Sequence, residues 1–479
     1  MRIFRVNAMS DEYDLIVIGT GPAGEKAAVK AAYFGYRVAI VEKNKVFGGA
    51  GVVTGTLPSK TLKETALYFS GKYEKDVFSV NRKLQHSASL EDFMYRKNIV
   101  THSINHEIRE NLTRHKVDIF IGVAQFKDSH SILIKEENGT NHTLTGKNII
   151  IATGSYPFHP TEIPFDGVRI HDSDTILDIT WMPKSLCIVG AGVIGCEYAT
   201  IFANIGTEVH LIHNKDAILP QIDQELANDL IVQMQEEGIR VLFDSTIESV
   251  HVPMHRDEPV QISLHSGKRI ECDMFLFAAG RSGTTGELQC EKLGLQMGKR
   301  QTLIVDHQYK TNIPHIYAVG DVIGFPSLAS TSMEQGRVAV AHIFQTQDLH
   351  NLPTHFPYGI YTIPEISMVG LTEEEMILSK KPYCTGKARY GDLARGRIIG
   401  AKNGFLKLVI NKDDLSICGV HIIGHMATEI IHFGLELVES KQTLYDIIGK
   451  VFNYPTLHDL YKYAAYDGLS NFKGYKIKE

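Results

Sequence analysis

The fold is decided by residues 13–43, which read YDLIVIGTGPAGEKAAVKAAYFGYRVAIVEK. A short apolar, β-branched run predicts a buried strand, a Gly-x-Gly-x-x-Gly turn follows, and an Ala-rich segment predicts a helix. Gly35 stands where that helix should end, and a second apolar run predicts another buried strand. The segment therefore predicts one βαβ unit of a parallel sheet.

The same pattern occurs again at residues 185–215, SLCIVGAGVIGCEYATIFANIGTEVHLIHNK. In the first copy Glu42 lies 23 positions after Gly19. In the second copy His213 likewise lies 23 positions after Gly190. One glycine-rich turn is weak evidence of nucleotide binding, whereas two such turns, each between a strand and a helix, are much stronger evidence. We therefore predict an α/β fold with two Rossmann-like dinucleotide-binding domains.

In the first unit, the glycines and the last strand residue predict a site for an adenine dinucleotide. Gly19 and Gly21 allow a tight turn and a close approach of the backbone to a pyrophosphate, and Gly24 lets the helix pack against the strand. The helix N-terminus supplies free N–H groups and the positive end of the helix dipole. Glu42 can accept hydrogen bonds from ribose hydroxyls, which fits FAD or NAD.

The second unit has equivalent glycines, Gly190, Gly192 and Gly195, but a different ending. His213 replaces the carboxylate, and Lys215 follows two residues later. A carboxylate about 4 Å from a 2′-phosphate would repel it by about 4 kcal/mol at a dielectric of about 20, or roughly three orders of magnitude in affinity. Without a carboxylate the site is expected to accept NADP(H) and also NAD(H). The alternative is that His213 is an incidental loop residue.

Composition excludes several classes of protein. A chain of 479 residues, 43% hydrophobic and 22% charged, is expected to form about three globular domains. A net charge of −6 leaves no basic footprint for nucleic acid. No segment predicts a signal peptide or a membrane span. The six cysteines have no CxxC spacing, which argues against a disulfide framework and a metal site and favours a reducing, cytoplasmic location.

Other segments extend this picture. Residues 60–115 predict long helices, and alternating segments near 117–150 and 240–275 predict small sheets. From about residue 350, strand patterns (FLKLVIN, ICGVHIIG) alternate with a helical pattern (ATEIIHFGLELVESK), which predicts a separate α+β domain.

Several stretches are long and specific: GTLPSK (55–60), ATGSYP (152–157), DSDTIL (172–177), IVGAGVIGCEYATIF (188–202), YAVGDVIGFPSLAS (317–330), GIYTIPEIS (359–367) and FNYPT (452–456). With the two βαβ units, they make the chain resemble the two-dinucleotide-binding flavoproteins, the family of dihydrolipoamide dehydrogenase and glutathione reductase. The resemblance extends from Asp11 to about Phe472. Within the family, the chain looks most like the soluble pyridine nucleotide transhydrogenase branch.

The resemblance implies three domains: an FAD-binding domain (1–150 and 280–350), an NAD(P)-binding domain (151–279) and a dimerisation domain (351–479) that forms a homodimer. It implies contacts to FAD from Gly19, Gly21, Gly24, Glu42, Lys43, Gly49, Gly51, Lys60, Gly154, Asp321 and Ala329, with the Asp321 carboxylate holding the ribityl chain. It implies contacts to NAD(P) from Gly190, Gly192, Gly195, Glu197, His213, Lys215, Gly280 and Arg281. It implies no metal.

The redox centre of the family is altered in this sequence. Disulfide-reducing members have a Cys-x-x-x-x-Cys segment after the first βαβ unit, where a helix N-terminus holds a thiolate against the flavin. Gly51 and Thr56 stand at those two positions here. Tyr454 and Asp459 stand at the positions of the family's His–Glu acid–base pair. Because tyrosine is too weak an acid to shuttle protons at neutral pH, both ends of the dithiol pathway are expected to be missing.

The residues for hydride transfer remain. By resemblance, Lys60 and Glu197 form an ion pair beside the N5 edge of the flavin, where the lysine stabilises negative charge on the reduced ring. On pattern alone, each could be a solvated helix residue. The predicted activity is hydride transfer from NADPH to FAD and then to NAD+, with both nucleotides using one site in turn. The alternatives are an NAD(P)H oxidase or diaphorase-type reductase, and a non-catalytic binding protein with the same fold.

Overall fold

The structure is a computed structural model that describes residues 12–71, 89–255, 257–347 and 351–474. It divides into two compact units. The first comprises Met1–Pro58, Lys97–Phe158 and Gly280–Leu352, and the second comprises Ser59–Arg96, His159–Ala279 and Pro353–Glu479. The predicted boundary at residue 350 and the last residues of the helical pattern after Ser70 lie outside the described ranges. The three-domain division therefore remains a prediction.

The helices of the described residues are α1 (Pro22–Tyr33), α2 (Thr56–Ser70), α3 (Leu90–Arg114), α4 (Val193–Asn204), α5 (Gln224–Glu236), α6 (Ala329–Phe344), α7 (Glu373–Ser379), α8 (Ala394–Ile398), α9 (Ala427–Glu439), α10 (Leu444–Gly449) and α11 (Asp459–Lys473). A π-helix at Ala50–Thr54 precedes α2. No helix in these ranges combines the length and the apolar character that crossing a membrane requires.

The strands are β1 (Glu12–Ile18), β2 (Val38–Glu42), β3 (Asp118–Ile121), β4 (Val123–Phe126), β5 (Ser131–Lys135), β6 (Asn141–Ile151), β7 (Ser155–Pro157), β8 (Ile170–Asp172), β9 (Ser185–Val189), β10 (Glu208–Ile212), β11 (Arg240–Leu242), β12 (Ile247–His251), β13 (Val260–Leu264), β14 (Arg269–Cys272), β15 (Met274–Phe277), β16 (Arg281–Gly283), β17 (Ile316–Ala318), β18 (Tyr358–Ile360), β19 (Glu365–Gly370), β20 (Tyr383–Arg389), β21 (Phe405–Asn411) and β22 (Ile417–Gly424).

The first unit is built on a sheet in the order β3-β2-β1-β6-β5-β4, with β17 also paired to β6. The strands β3, β2, β1, β6 and β17 are parallel to one another, whereas β5 pairs antiparallel with β6 and β4 pairs antiparallel with β5. In β1, Ile16 and Ile18 join one buried apolar cluster, and Leu15 and Val17 join another. Both faces of β1 are therefore covered, which explains its nearly continuous apolar sequence.

The second unit contains the other predicted βαβ unit in a parallel sheet of order β11-β10-β9-β15-β8. An antiparallel sheet, β12-β13-β14, lies between β11 and β15 in the chain. The C-terminal residues form an antiparallel sheet of order β18-β19-β22-β21-β20 with helices α9 to α11. The predicted α/β fold with two Rossmann-like units and a C-terminal α+β part is confirmed.

Two sequence predictions about small sheets were only partly right. The strands near 117–150 are not a separate sheet, because β6 is 11 residues long and pairs with both β1 and β5. Of the strands near 240–275, β11 and β15 belong to the parallel sheet of the second unit, and β12 to β14 form a sheet of their own. Alternation identifies a strand but does not identify its partner.

A buried ion pair joins α5 to the C-terminal sheet within the second unit. Asp223 accepts a hydrogen bond from the backbone N–H of Glu225 at the start of α5. Lys407 Nζ, from β21, lies 3.0 and 2.9 Å from the two carboxylate oxygens of Asp223, and both side chains are buried. Burial raises the pKa of the Asp223 carboxyl, but His421 and Lys407 outweigh burial, so that the pKa is lowered.

Candidate active site

The glycine-rich turn between β1 and α1 has the geometry that a dinucleotide requires. Gly19 has a φ of 105°, and a Cβ there would lie 2.4 Å from the carbonyl oxygen of Ala152. A Cβ on Gly24 would lie 2.0 Å from the carbonyl oxygen of Gly19, so no side chain is possible at this helix–turn contact. At Gly21 a Cβ would meet no described atom within 4 Å. The backbone at the start of α1 is therefore open to a pyrophosphate.

Glu42, the last residue of β2, is buried and fixed by local donors. One carboxylate oxygen accepts hydrogen bonds from Thr20 N at 2.9 Å and from Thr20 Oγ1 at 2.6 Å. The other accepts from Asn44 N at 3.0 Å. Because each carboxylate oxygen can accept more than one bond, Glu42 can still accept bonds from ribose hydroxyls. These residues fit the adenosine half of FAD.

The segment at the family's dithiol position contains no cysteine. Gly51 is buried in the π-helix, and a Cβ there would lie 2.7 Å from Cγ of Pro22, the first residue of α1. Any side chain at this position, a cysteine included, must displace the proline ring. Thr56 is the first residue of α2. The absence of sulfur is therefore accompanied by packing that leaves no room for the first thiol.

The other candidate FAD residues of the first unit lie in four places. Gly49 lies against the glycine-rich turn between β1 and α1, since a Cβ added at Gly49 would lie 3.1 Å from Cα of Gly21. Gly154 follows β6 with a φ of 72°. Ala329 begins α6, and the exposed Lys43 lies 3.5 Å from Glu287. Their contacts with FAD remain predictions.

Asp321 belongs to a short hydrogen-bond chain. Arg281 Nε donates to Ser155 Oγ at 2.8 Å, and Ser155 Oγ donates to Asp321 Oδ2 at 3.0 Å. Arg281 also donates to the Ser155 carbonyl oxygen at 2.8 Å. Gly280 and Arg281 lie in the first unit, whereas the other candidate NAD(P) residues lie in the second. The role of Gly280 and Arg281 at NAD(P) remains a prediction.

The second glycine-rich turn, between β9 and α4, repeats the geometry of the first. Gly190 has a φ of 104°, and a Cβ there would lie 2.8 Å from the carbonyl oxygen of Ala278. A Cβ on Gly195 would lie 1.8 Å from the carbonyl oxygen of Gly190. At Gly192, as at the middle glycine of the first turn, a Cβ would meet no described atom within 4 Å. These residues fit the pyrophosphate of a second dinucleotide.

His213 follows β10 directly and lies against this turn. Its Nδ1 accepts a hydrogen bond from Ala191 N at 3.3 Å. Its Nε2 is buried and has no hydrogen-bond partner in the part of the chain that the structure describes. Burial lowers the pKa of His213, and the Lys215 charge lowers it further, against an opposing contribution from the Ala217 backbone. The ring is therefore neutral at physiological pH.

Lys60 and Glu197 form the ion pair that the resemblance implied. Lys60 Nζ lies 2.8 and 2.7 Å from the two carboxylate oxygens of Glu197. Glu197 Oε1 also accepts from Tyr361 N at 2.9 Å, and Lys60 Nζ lies 4.8 Å from the centre of the Tyr361 ring. The Glu197 side chain is 5% exposed and that of Lys60 is 24% exposed. Neither is a solvated helix residue.

The C-terminal positions of the dithiol pathway also lack its chemistry. Tyr454, at the histidine position, is 76% exposed. Asp459 begins α11. The six cysteines are all free; five are buried and Cys418 is partly buried. Burial raises the pKa of Cys196, Cys290 and Cys384, among others, which keeps these thiols protonated and unreactive.

Sequence reasoning missed several residues that fix the site. Thr20 orients Glu42, Ser155 links Arg281 to Asp321, and Tyr361 holds Glu197. Ser155 and Tyr361 lie in the stretches ATGSYP and GIYTIPEIS, which carried the resemblance without a role for each residue. Their contacts join residues more than 100 positions apart, so no local pattern could assign them.

Comparison with known proteins identifies the family and the fold. Residues 13–336 match the family model described as pyridine nucleotide-disulphide oxidoreductase, and residues 356–465 match the model of its dimerisation domain. Among solved structures, the chain is similar to LpdA from Mycobacterium tuberculosis, with 25% identity, a TM-score of 0.87, and coverage of 94% of this chain and 99% of that one. It also shares its fold with the HOCl-induced flavoprotein disulfide reductase RclA from Escherichia coli, with 24% identity, a TM-score of 0.85, and coverage of 97% and 100%.

Three relatives with higher sequence identity than these solved structures share one name. A soluble pyridine nucleotide transhydrogenase of Mycobacterium bovis is 41% identical over 465 residues, which cover 96% of this chain and 98% of the relative. Proteins of the same name in Pectobacterium atrosepticum and Azotobacter vinelandii are 38% and 39% identical, with the same coverage of both chains.

Proposed function

The chain belongs to the pyridine nucleotide-disulphide oxidoreductase family, and within it we propose that the protein is an FAD-dependent transhydrogenase that moves a hydride from NADPH to NAD+ without a redox-active disulfide. The observation that carries the proposal is the replaced dithiol. Gly51 packs on Pro22 and Thr56 begins α2, so neither of the two dithiol positions offers a sulfur to take electrons from a flavin. The relatives at 38–41% identity bear the transhydrogenase name.

The residues of the first unit support FAD as the resident cofactor. The open backbone at Gly21 would hold the pyrophosphate, and Glu42 would hold the adenosine ribose. Asp321, oriented by Ser155, would hold the ribityl chain. Bound FAD supplies the two-electron chemistry by which one nicotinamide is oxidised and another reduced.

Lys60 is proposed to stabilise the charge that develops at the reacting edge of the flavin. Residues four apart on a helix share one face, so Lys60 lies on the face of α2 that begins with Thr56, the second thiol position. Glu197 fixes the ammonium group, and the Tyr361 N–H fixes Glu197. A preorganised charge of this kind requires no rearrangement during the reaction.

The second unit is proposed to bind both substrates in turn. NADPH and NAD+ would bind at the same glycine-rich turn, between β9 and α4. The loop after β10 carries His213 and Lys215 there, and position 213 has no carboxylate that would repel the 2′-phosphate of NADPH. A homodimer is part of the proposal, supported by the dimerisation-domain match and by exposed Val451, Tyr454 and Tyr463. A cytoplasmic location is proposed from the free thiols.

The proposal is tested by supplying the purified holoprotein with NADPH and one acceptor at a time. We expect rapid reduction of NAD+ and no turnover of oxidised lipoamide or glutathione disulfide. An aerobic reaction without NAD+ measures oxygen as an acceptor, and its rate is expected to be at least about tenfold lower. Turnover of either disulfide would overturn the proposal. Reduction of oxygen or a quinone faster than NAD+ would identify an oxidase or diaphorase instead.

A further inference from the structure

We infer that Lys63 and Glu365 form a second buried ion pair whose role is to position Lys60 for hydride transfer. The role deepens the proposed function and rests on it for the place of Lys60 at the reacting edge of the flavin. Lys63 and Glu365 are positioning residues, because they act through the pair of Lys60 with Glu197.

The second ion pair lies almost entirely out of solvent. Lys63 Nζ, from α2, lies 2.5 Å from Glu365 Oε1, and the two side chains are 5% and 11% exposed. Glu365 Oε2 accepts bonds from Thr428 N at 3.0 Å and from Thr428 Oγ1 at 2.7 Å. The exposed Glu64 also lies 2.7 Å from Lys63 Nζ. The pair therefore joins α2 to the first residue of β19 and, through Thr428, to α9.

Both members of this pair are charged at neutral pH. Burial lowers the pKa of Lys63, but the Glu365 and Glu64 carboxylates outweigh burial, so that the pKa is raised. Burial raises the pKa of Glu365, but Lys63 and Thr428 outweigh burial, so that the pKa is lowered. Desolvation of two charges offsets most of their attraction, so a buried pair adds little stability over packed apolar side chains. What the pair supplies is a fixed geometry between α2 and β19.

The two ion pairs of α2 are connected by one short segment of chain. Lys60 and Lys63 are three residues apart and share a face of the helix. Tyr361 N donates to Glu197 Oε1 at 2.9 Å, which fixes the partner of Lys60. Glu365, the partner of Lys63, follows Tyr361 by four residues. The two ends of this segment therefore hold the two lysines of α2 through their carboxylate partners.

The middle of the segment is fixed to α4. Ile363 N donates to Thr200 Oγ1 at 3.1 Å. Thr200 lies three residues after Glu197, on the same face of α4. Two backbone N–H groups, at Tyr361 and Ile363, thus follow α4, while Glu365 is held by α2. Because the segment is only five residues long, release of Glu365 would loosen the bond from Tyr361 to Glu197.

A small displacement of Lys60 is sufficient to slow hydride transfer. A misplacement of about 1 Å at a reacting centre can cost about 100-fold in rate. The attraction between the ammonium group and the negative charge of the reduced flavin also weakens with distance. The rate of flavin reduction and the potential of the flavin should therefore both depend on Lys63 and Glu365.

The test compares wild type with Lys63→Met and Glu365→Gln, each as the FAD-bound protein. Glu365→Gln keeps an oxygen for the Thr428 donors and loses the charge that Lys63 binds. We expect the limiting rate of anaerobic flavin reduction by NADPH to fall about 10- to 100-fold in each variant. The apparent Kd of NADPH should stay within about threefold of wild type. The midpoint potential of FAD, measured with a reference dye, should fall by about 15–30 mV, which corresponds to a three- to tenfold weaker preference for the reduced ring.

Two further variants separate positioning from stability. The double variant Lys63→Met/Glu365→Gln buries no unpaired charge, so it should regain stability but keep the low rate. Asp223→Asn is the matched control, because it removes a carboxylate from the buried Lys407 pair between α5 and β21. It should lower stability and leave the rate and the potential within about twofold of wild type.

Wild-type rate and potential in all variants of the Lys63–Glu365 pair would overturn the inference, because the pair would then be purely structural. An equal loss of rate in Asp223→Asn would also overturn it, since any destabilisation would then slow the reaction. Neither measurement uses NAD+ as the acceptor, and the potential requires no nucleotide. Failure to reduce NAD+ would therefore contradict the proposed function without altering these results.

Discussion

Replacing Lys60 with methionine tests whether its ion pair with Glu197 serves stability, hydride transfer or both. The side chain of Glu197 is 5% exposed, and without Lys60 the Tyr361 N–H would be its one remaining hydrogen-bond donor among the residues that the structure describes. Removing one member of a buried ion pair costs about 3–5 kcal/mol, because the other charge remains buried. Lys60 is 24% exposed, so water can reach the vacated position. We therefore expect a loss near the lower limit, about 3 kcal/mol.

The second variant, Glu197→Gln, removes the charge but keeps an oxygen for the Tyr361 N–H. Its expected cost is about 1–2 kcal/mol, since the remaining ammonium is partly solvated. In the double variant the uncompensated charge is absent. The double variant should therefore be about 2 kcal/mol more stable than the sum of the single losses predicts. Urea denaturation followed by circular dichroism measures these differences, and Tyr68→Phe, at a side chain 66% exposed on the same helix, is the control.

The rate of flavin reduction by NADPH separates the catalytic role from the structural one. Loss of a preorganised charge at the reacting edge costs about 10²- to 10³-fold in rate. We expect that loss in Lys60→Met and again in the double variant, measured anaerobically by stopped flow. If the double variant recovered both stability and rate, the pair would be purely structural. If the urea concentration at the midpoint of unfolding were the same for Lys60→Met as for wild type, the assumed burial of Glu197 would be wrong.

Three further predictions concern packing and charge. Gly24→Ala should purify without flavin absorbance, because its Cβ would lie 2.0 Å from a carbonyl oxygen of the glycine-rich turn; bound flavin at wild-type occupancy would contradict this. Gly51→Cys should lower stability by about 1–3 kcal/mol, measured by urea denaturation, since Pro22 must move. Asp223 has a lowered pKa in the folded protein, so its pairing with Lys407 stabilises the fold above about pH 4, the range of an unfolded aspartate, and the stabilisation is lost as the pH falls through the folded value. Asp223→Asn should therefore lower the Tm at neutral pH and make it less sensitive to acid, and an unchanged acid slope would contradict the assignment.

Local patterns in the sequence were sufficient for the two βαβ units. Strand, turn and helix in residues 13–43 and 185–215 are set by neighbours in the chain, and the glycine positions are set by steric limits within one turn. The pairing of strands was less predictable, as β4 and β5 show, because alternation does not specify a partner. The sequence alone shows that positions 51 and 56 are not cysteines. That these two positions correspond to a redox-active dithiol followed only from the family resemblance.

The sequence by itself therefore determined the class of fold, the two dinucleotide sites and the loss of dithiol chemistry. Only the tertiary structure decided which side chains and backbone groups meet: the pairing of Lys60 with Glu197 across 137 positions, the packing of Gly51 on Pro22, and the Ala191 bond to His213. The physical reason is that propensity and steric limits act between near neighbours. Burial, ion pairing and the hydrogen bonds of a buried side chain depend on groups that meet only after the chain has folded.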